Sequence, residues 1–254
     1  MQDVIKELAQ KNEQKIVLLV MDGLGGAPAQ EGGKTELETA RTPNLDELAA
    51  RSECGLHTPI GLGITPGSAP GHLALFGYDP IQYPIGRGMV AALGIGFPLQ
   101  GGDVAARVNF ATADAEGRIT DRRAGRIPTE RCGELCERLG DIKIPGVQTF
   151  IRPVKDYRAV VVFRGQGLND RVEDTDPQAT GVKPLSPKPS APEGKKTAEV
   201  AGEFVRQALT RLQDQQPANT VLMRGFALLP HIPSLKERFL LDGLALAVYP
   251  DYKG

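Results

Sequence analysis

The sequence predicts an α/β fold. A strand, a glycine-rich loop and a helix follow one another between residues 15 and 51, which is the order typical of an α/β unit. Further apolar segments with strand or helix patterns alternate after residue 101. The 30 glycines and 20 prolines fall in short clusters between these segments. Buried elements joined by many tight loops are a common scaffold for a binding site.

The first hundred residues contain four predicted elements. Residues 3–13 have the spacing of an amphipathic helix, and the uninterrupted apolar segment 15–21 predicts a strand buried on both faces. That strand ends abruptly at Asp22, which glycines follow. Residues 42–51 combine a turn, a capping residue and helical spacing, and a second helical stretch begins at His72.

The pattern changes after residue 101. Strands are predicted over 104–110, 157–163, 220–223 and 244–249, and helices over 129–139 and 195–213, with a further helix between the last two strands. The segment 174–194 contains five prolines and is expected to be an extended loop.

Composition excludes several classes of protein. The 254 residues carry 30 Lys and Arg against 31 Asp and Glu, so the chain has no general attraction for nucleic acid or anionic membranes. The longest apolar run, residues 16–21, is far shorter than the roughly 20 residues that span a bilayer. Three cysteines cannot all pair, and the N-terminus lacks an apolar signal core. We expect a cytoplasmic protein with neither a nucleic-acid partner nor a membrane; the sequence makes no prediction of oligomeric state.

Asp22 is the first candidate for chemistry. Open α/β sheets bind their ligands just beyond the C-terminal ends of their strands, where Asp22 is expected. The carboxylate could ligate a metal or act as a general base. Alternatively, it could simply cap the turn that follows.

Ser68 lies in a dense cluster of glycines and prolines immediately before a helical stretch. A hydroxyl at a helix N-terminus suits a nucleophile that attacks phosphorus, because the helix amides stabilise the anion that forms. Pro66 and Pro70 exclude the Gly-x-Ser-x-Gly motif of hydrolases. The alternative is a serine that only caps the helix.

A cluster of arginines is the third candidate. Arg122, Arg123 and Arg126 follow Asp121 closely, and further arginines lie in or beside predicted strands at Arg107, Arg158, Arg164 and Arg224. Guanidinium groups bind phosphate and carboxylate through two parallel hydrogen bonds, so this cluster favours a small substrate with both groups. A solvated basic loop is the alternative.

Five segments together resemble a known family. They are Val-Met-Asp-Gly-Leu-Gly-Gly at 20–26, Thr-Pro-Asn-Leu-Asp at 42–46, Gly-Ile-Thr-Pro-Gly-Ser-Ala-Pro-Gly-His-Leu-Ala-Leu-Phe-Gly-Tyr-Asp-Pro at 63–80, Asp-Arg-Arg-Ala-Gly-Arg-Ile at 121–127 and Asp-Thr-Asp-Pro at 174–177. These segments resemble the archaeal-type cofactor-independent phosphoglycerate mutases of the alkaline phosphatase superfamily. The similarity runs from about Lys15 to the C-terminus.

The resemblance implies a partial alkaline-phosphatase-like core with an inserted smaller α/β domain. Residues 1–100 would form the N-terminal part of the core, residues 101–233 the inserted substrate-binding domain, and residues 234–254 the start of the return to the core. Members of the family continue past the position of Gly254, and the additional segment carries further Asp and His metal ligands. The chain is therefore expected to be an incomplete fragment with little activity of its own.

The resemblance also implies a reaction, the metal-dependent interconversion of 3-phosphoglycerate and 2-phosphoglycerate through a phosphoserine. Ser68 and His72 would be the catalytic residues, with Ser68 as the nucleophile and His72 beside it. Asp22 and Ser68 would be ligands of the metal. The substrate, a small phosphorylated hydroxy acid, would be bound by Asp121, Arg122, Arg123, Arg126 and Arg224. The expected metal is Mn²⁺, with Mg²⁺, Zn²⁺ or Co²⁺ as alternatives, and 2,3-bisphosphoglycerate would not be required.

Two other interpretations stay open. The chain could belong to another enzyme of the same superfamily, such as a phosphatase, a phosphopentomutase or a homoserine-kinase-like protein with the same serine and metal. It could also be a non-catalytic anion-binding remnant that retains the arginine cluster.

Overall fold

The computed structural model describes residues 2–10, 12–247 and 249–253. The helices are α1 (Gln2–Leu8), α2 (Glu36–Thr39), α3 (Pro43–Ala50), α4 (Ser68–Leu75), α5 (Arg87–Gly94), α6 (Thr129–Leu139), α7 (Lys195–Leu212), α8 (Leu235–Phe239) and α9 (Pro250–Lys253). The strands are β1 (Val104–Ala113), β2 (Ile119–Asp121), β3 (Gln148–Lys155), β4 (Arg158–Arg164) and β5 (Thr220–Leu228), and short 3₁₀ turns occur at Ala124–Arg126 and Pro192–Gly194.

The chain forms two compact units. Unit 1 comprises Met1–Thr58 and Leu235–Leu241, and unit 2 comprises Pro59–Ser234 and Asp242–Gly254. The domain boundaries expected from the resemblance, at residues 100 and 233, stay predictions.

Unit 2 is built on a five-stranded sheet in which every pairing is antiparallel. Strand β1 is central: Val108 lies opposite Ala159 of β4 on one side and Met223 of β5 on the other. Strand β3 extends the sheet beyond β4, and β2 pairs with the end of β1. The mixture of helices and strands agrees with the predicted α/β class.

Helices cover both faces of this sheet. On one face, alternate residues of β1 from Val104 to Phe110 pack with α6 and α7, and the Phe163 and Phe204 ring centroids lie 5.8 Å apart. On the other face, Ala105 and its neighbours pack with the buried side of α5. Because both faces are buried, β4 is an almost continuous apolar segment rather than an alternating one.

Several predicted elements of unit 2 are confirmed within a few residues. Helices α6 and α7 match the predictions at 129–139 and 195–213, and α7 buries the side chains that recur at i+4 steps. Strands β1, β4 and β5 also form where apolar, β-branched segments predicted them, although β5 continues to Leu228. The helix predicted from His72 begins one turn earlier, at Ser68.

Unit 1 retains two of its predicted elements. The predicted helix at 42–51 is observed as α3. The N-terminal helix is shorter than predicted because it ends at Leu8, and Lys11 lies outside the described residues.

Two predicted strands are wrong. Residues 15–21 have no strand, and Val17 is 88% exposed. Residues 244–247 also lack a strand, Leu246 is 92% exposed, and Val248 lies outside the described residues. A strand requires a hydrogen-bonded neighbour as well as an apolar sequence, and no strand of the described chain pairs with either segment.

Among the described helices, none has the length and apolar character needed to cross a membrane.

Candidate anion-binding site

Unit 2 contains a cavity of about 670 Å³ with a strongly cationic lining. Eight positively charged side chains line it, namely Arg87, Arg107, Arg122, Arg123, Arg126, Lys155, Arg158 and Arg224. Asp156 is the single carboxylate among its described lining residues. A concave site with this imbalance attracts anions, because the low-dielectric walls focus the positive potential.

Ser68 also lines the cavity, as the first residue of α4. Gly67 precedes it in an extended conformation and forms the N-cap. The first turn of α4 therefore begins at the cavity, and its free amide groups favour negative charge. The structure thus brings Ser68 together with four predicted arginines, Arg122, Arg123, Arg126 and Arg224.

His72 lies one turn further along α4 and is not among the cavity-lining residues. Its Nδ1 is 2.8 Å from the backbone carbonyl oxygen of Ser68, and its ring stacks on Tyr252 at 4.7 Å between centroids. A carbonyl oxygen can only accept a hydrogen bond, so Nδ1 is the donor in this contact. The contact links His72 to the backbone of Ser68 rather than to its hydroxyl.

Asp121 supports the arginine loop instead of lining the cavity. Its Oδ1 accepts a hydrogen bond from the Arg123 N–H (2.8 Å), and its Oδ2 accepts one from the Gly125 N–H (2.6 Å). The next residues turn through left-handed conformations, with φ of 46° at Ala124, 62° at Gly125 and 55° at Arg126. Residues other than glycine rarely adopt this conformation, and such strain is concentrated at functional sites.

Arg122 and Arg224 are held by two further carboxylates. Asp176 accepts two hydrogen bonds from Arg122, from Nε at 2.9 Å and from Nη2 at 2.7 Å. Asp174 accepts a hydrogen bond from the Gly225 N–H at 2.7 Å and a longer one from Arg224 Nε at 3.4 Å. The carboxylates thereby fix two arginines at the edge of the cavity.

These contacts also determine the charge state of the pair. Burial opposes ionisation of Asp176, but its hydrogen bonds from Arg122 and from the Gln178 N–H outweigh that effect, so its pKa lies below the ordinary value. The hydrogen bond to Asp176 correspondingly raises the pKa of Arg122. Both groups are charged at neutral pH.

Of the four strand arginines grouped with the predicted cluster, Arg107, Arg158 and Arg224 line the cavity, and Arg164 is not among its lining residues. Arg107 of β1 lies directly opposite Arg224 of β5, and Asn109 lies opposite Arg158 of β4. These positions lie on the same face of the sheet as Ala105. Helix α5 covers one end of this face, where Ala105 is buried. This face is apolar under α5 and cationic at the cavity.

Arg87 and Lys155 were missed by sequence reasoning. A side chain at Gly225 would meet the Arg87 backbone nitrogen at 2.7 Å, so glycine lets the start of α5 approach β5 and places Arg87 at the cavity. Lys155 ends β3 at the tight turn before β4. Their only sequence signal is that Arg87 lies between two glycines and Lys155 lies near Arg158.

The described donors do not form a complete metal site. Asp22 lies in an exposed turn of unit 1, and Ser68 belongs to unit 2. Within residues 2–10, 12–247 and 249–253, no three His, Cys, Asp or Glu side chains are grouped as metal ligands. A catalytic metal centre normally takes about three protein ligands, more than the described residues bring together.

A serine at a helix N-terminus beside a cation-lined cavity defines a class, proteins that bind small phosphorylated or carboxylated anions. The profile of the 2,3-bisphosphoglycerate-independent phosphoglycerate mutase family matches residues 49–219. The chain belongs to this family.

Individual relatives agree. A probable 2,3-bisphosphoglycerate-independent phosphoglycerate mutase of Aquifex aeolicus is 49% identical over 261 residues, which cover 99% of this chain and 64% of the relative. One from Thermus thermophilus is 47% identical and is matched over 62% of its length, with 99% of this chain covered. The chain thus spans less than two thirds of the length of these relatives.

Two solved structures are similar in fold. A cofactor-independent phosphoglycerate mutase from Thermoplasma acidophilum has a TM-score of 0.58 and 34% identity, over 72% of this chain and 53% of its own. A protein from Pyrococcus horikoshii has a TM-score of 0.61 and 30% identity, over 84% of this chain and 51% of its own. The fold expected from the resemblance, an alkaline-phosphatase-like α/β fold, agrees with these neighbours.

Proposed function

We propose that the protein containing this chain interconverts 3-phosphoglycerate and 2-phosphoglycerate, with the cavity of unit 2 as the substrate site. One observation carries this proposal: Ser68 and four arginines predicted to bind substrate line the same cavity. Membership of the mutase family supports the choice of reaction.

The cavity suits this substrate in size and charge. A volume of about 670 Å³ is typical of small-molecule sites. Phosphoglycerate carries a phosphate and a carboxylate, and both groups fit the guanidinium fork. With cations from a loop, a helix start and four strands, the lining can hold two separate anionic groups at once.

In the proposed reaction the Ser68 oxygen attacks phosphorus while the bond from phosphorus to the glycerate oxygen breaks. The serine proton passes through solvent to the released glycerate oxygen, so the step neither gains nor loses a proton overall. The arginines hold the glycerate by its carboxylate until its other hydroxyl attacks the phosphoserine and regenerates Ser68. The helix amides and arginines stabilise the added negative charge in both steps.

The same proposal includes a divalent metal in the whole protein. Mn²⁺ is the expected ion, with Mg²⁺, Zn²⁺ or Co²⁺ as alternatives, and this chain would contribute Asp22 and Ser68 as ligands. Such an ion would lower the pKa of the serine hydroxyl and neutralise phosphoryl charge. We further propose that the reaction serves glycolysis in the cytoplasm.

The test is a ³¹P NMR assay in which the protein encoded by the complete reading frame is incubated with 3-phosphoglycerate and Mn²⁺. The proposal predicts a 2-phosphoglycerate signal, and a loss of about 10³-fold or more in rate for Ser68→Ala. Ser186→Ala, which removes an exposed hydroxyl of unit 2, is the matched control and should retain the wild-type rate. An active Ser68→Ala variant would contradict the nucleophile assignment.

The second candidate is a non-catalytic anion-binding protein. The cation-lined cavity supports it, because such a cavity binds small anions whether or not a reaction follows. Release of free phosphate in the same assay would instead indicate a phosphatase of the superfamily. An unchanged 3-phosphoglycerate spectrum, combined with tight binding, would support the non-catalytic candidate.

A further inference from the structure

Residues 174–176 are hydrogen-bonded to β5 and place the Asp176 carboxylate against arginines that line the cavity. The Thr175 N–H donates to the Met223 carbonyl at 2.9 Å, and the Met223 N–H donates to Thr175 Oγ1 at 2.8 Å. The neighbouring Asp174 accepts from the Gly225 N–H. These bonds hold residues 174–176 alongside β5, so Asp176 has a fixed position.

Asp176 contacts two cavity arginines without lining the cavity itself. Its side chain has no exposed surface, whereas Arg122 and Arg224 are partly exposed and line the cavity. Oδ1 accepts from Arg122 Nε and from the Gln178 N–H, each at 2.9 Å. Oδ2 accepts from Arg122 Nη2 at 2.7 Å and lies 3.4 Å from Arg224 Nη1.

The atoms used by Asp176 determine what Arg122 can offer a ligand. A guanidinium has five N–H donors in a rigid plane, and Asp176 occupies the side formed by Nε and Nη2. The other side, formed by Nη1 and the second Nη2 donor, remains for a planar or tetrahedral anion in the cavity. The bidentate contact also fixes the plane of the guanidinium, since one carboxylate engages two of its nitrogens.

We propose that Asp176 is a positioning residue for substrate binding, which orients Arg122, and through a weaker contact Arg224, toward the anion. This inference rests on the proposed function of the cavity. It distinguishes Asp176 from the groups that would touch the substrate, because every effect of Asp176 on binding passes through the arginines.

Charge and orientation predict opposite effects of removing the carboxylate. Asp176→Asn removes one negative charge behind a cationic cavity, so a purely electrostatic role would make anion binding tighter. Loss of orientation makes it weaker, because the asparagine amide can no longer accept both Arg122 hydrogen bonds. Orientation is expected to prevail, since a hydrogen bond to a charged group affects affinity by about tenfold or more.

The experiment is a calorimetric titration of 3-phosphoglycerate into the full chain with EDTA. The positioning role predicts that Asp176→Asn raises Kd by about tenfold, that Asp176→Glu recovers part of this loss, and that Arg122→Ala raises Kd at least as much. In the Arg122→Ala background, Asp176→Asn should change Kd by less than about twofold, because its effect requires the guanidinium.

Asp103→Asn is the matched control. Asp103 forms an equally buried bidentate pair with Arg164, at 2.8 and 2.7 Å, away from the cavity lining. Asp103→Asn should lower the free energy of unfolding in urea by a similar amount, while its Kd for 3-phosphoglycerate stays at the wild-type value. A role of Asp176 in folding alone would leave the Kd of both folded variants unchanged.

The outcomes separate this inference from the proposed function. Wild-type binding that Asp176→Asn leaves unchanged or strengthens would overturn the positioning role alone. Additive effects of Asp176→Asn and Arg122→Ala would also overturn it. Absence of wild-type binding would overturn both the proposed substrate site and the inference.

Discussion

Carboxylates that do not face the cavity hold the arginines that do. Asp121 fixes the backbone that carries Arg122 and Arg126, and Asp176 fixes the Arg122 guanidinium. Each carboxylate reduces the positive charge near the site, but it also fixes the position of the groups that it binds. Defined geometry is what distinguishes a substrate site from a diffuse basic surface.

Asp176 should make stability depend on pH in a predictable direction. The pKa of Asp176 in the folded chain lies below the ordinary 3.8. Its contribution to the free energy of unfolding is therefore complete above pH 3.8 and is lost as the pH falls through the lowered pKa. Asp176→Asn should therefore be less stable than wild type by about 3 kcal/mol near neutral pH. Urea unfolding at a series of pH values should show this difference shrinking below about pH 4. A difference that persists undiminished at lower pH would contradict the ionised pair.

Helix α5 and the sheet approach each other more closely than a side chain allows. At Gly88, a Cβ atom would lie 2.3 Å from the Ala105 carbonyl oxygen of β1, so any larger residue must push the helix away. This contact also matters for the cavity, because α5 begins with Arg87. The packing of one helix thus sets the position of one cation.

Gly88→Ala should lower the free energy of unfolding by about 1–3 kcal/mol, because the added methyl group overpacks the contact between α5 and β1. Gly133→Ala is the matched control in α6, where a Cβ atom would meet nothing within 4 Å. It should instead raise stability by up to about 1 kcal/mol, since alanine favours helix. Urea denaturation measures both, and equal effects of the two substitutions would contradict the close approach of α5.

Local patterns predicted the elements, and long-range pairing determined the site. Helices such as α7 are recognisable because their apolar residues recur along one face. The cluster from Arg122 to Arg126 was recognisable because it is contiguous. Arg107 and Arg158 join the same site only through the antiparallel register of β1, β4 and β5, which no local pattern encodes.

The error at residues 15–21 has the same origin. An apolar, β-branched segment indicates a tendency to be buried, but it does not say which strand will be its neighbour. Helix α5 was missed for a different reason, because glycines at both of its ends read as loop signals.

The two units differ in the depth of their cores. Unit 2 buries both faces of a sheet. Among the described residues of unit 1, no apolar side chain is buried, and Arg238 is the only buried residue. Burial of apolar surface is the main source of stability, so most of the stability of the chain should reside in unit 2.

Hydrogen exchange followed by mass spectrometry should resolve this difference. Amides of β1, β4 and β5 are expected to be strongly protected, because they lie within a sheet covered on both faces. Residues 12–35, which contain no helix or strand, should exchange without measurable protection. Slow exchange at residues 15–21 would contradict the structure and support the strand that the sequence predicted.

The most direct test of the central claim is a crystal structure of the chain grown with 3-phosphoglycerate. We expect the ligand in the cavity of unit 2, with its phosphate and carboxylate on the arginines and its phosphorus close to the Ser68 hydroxyl. Ligand bound elsewhere, or a cavity that stays empty at saturating ligand concentration, would show that this cavity is not the substrate site.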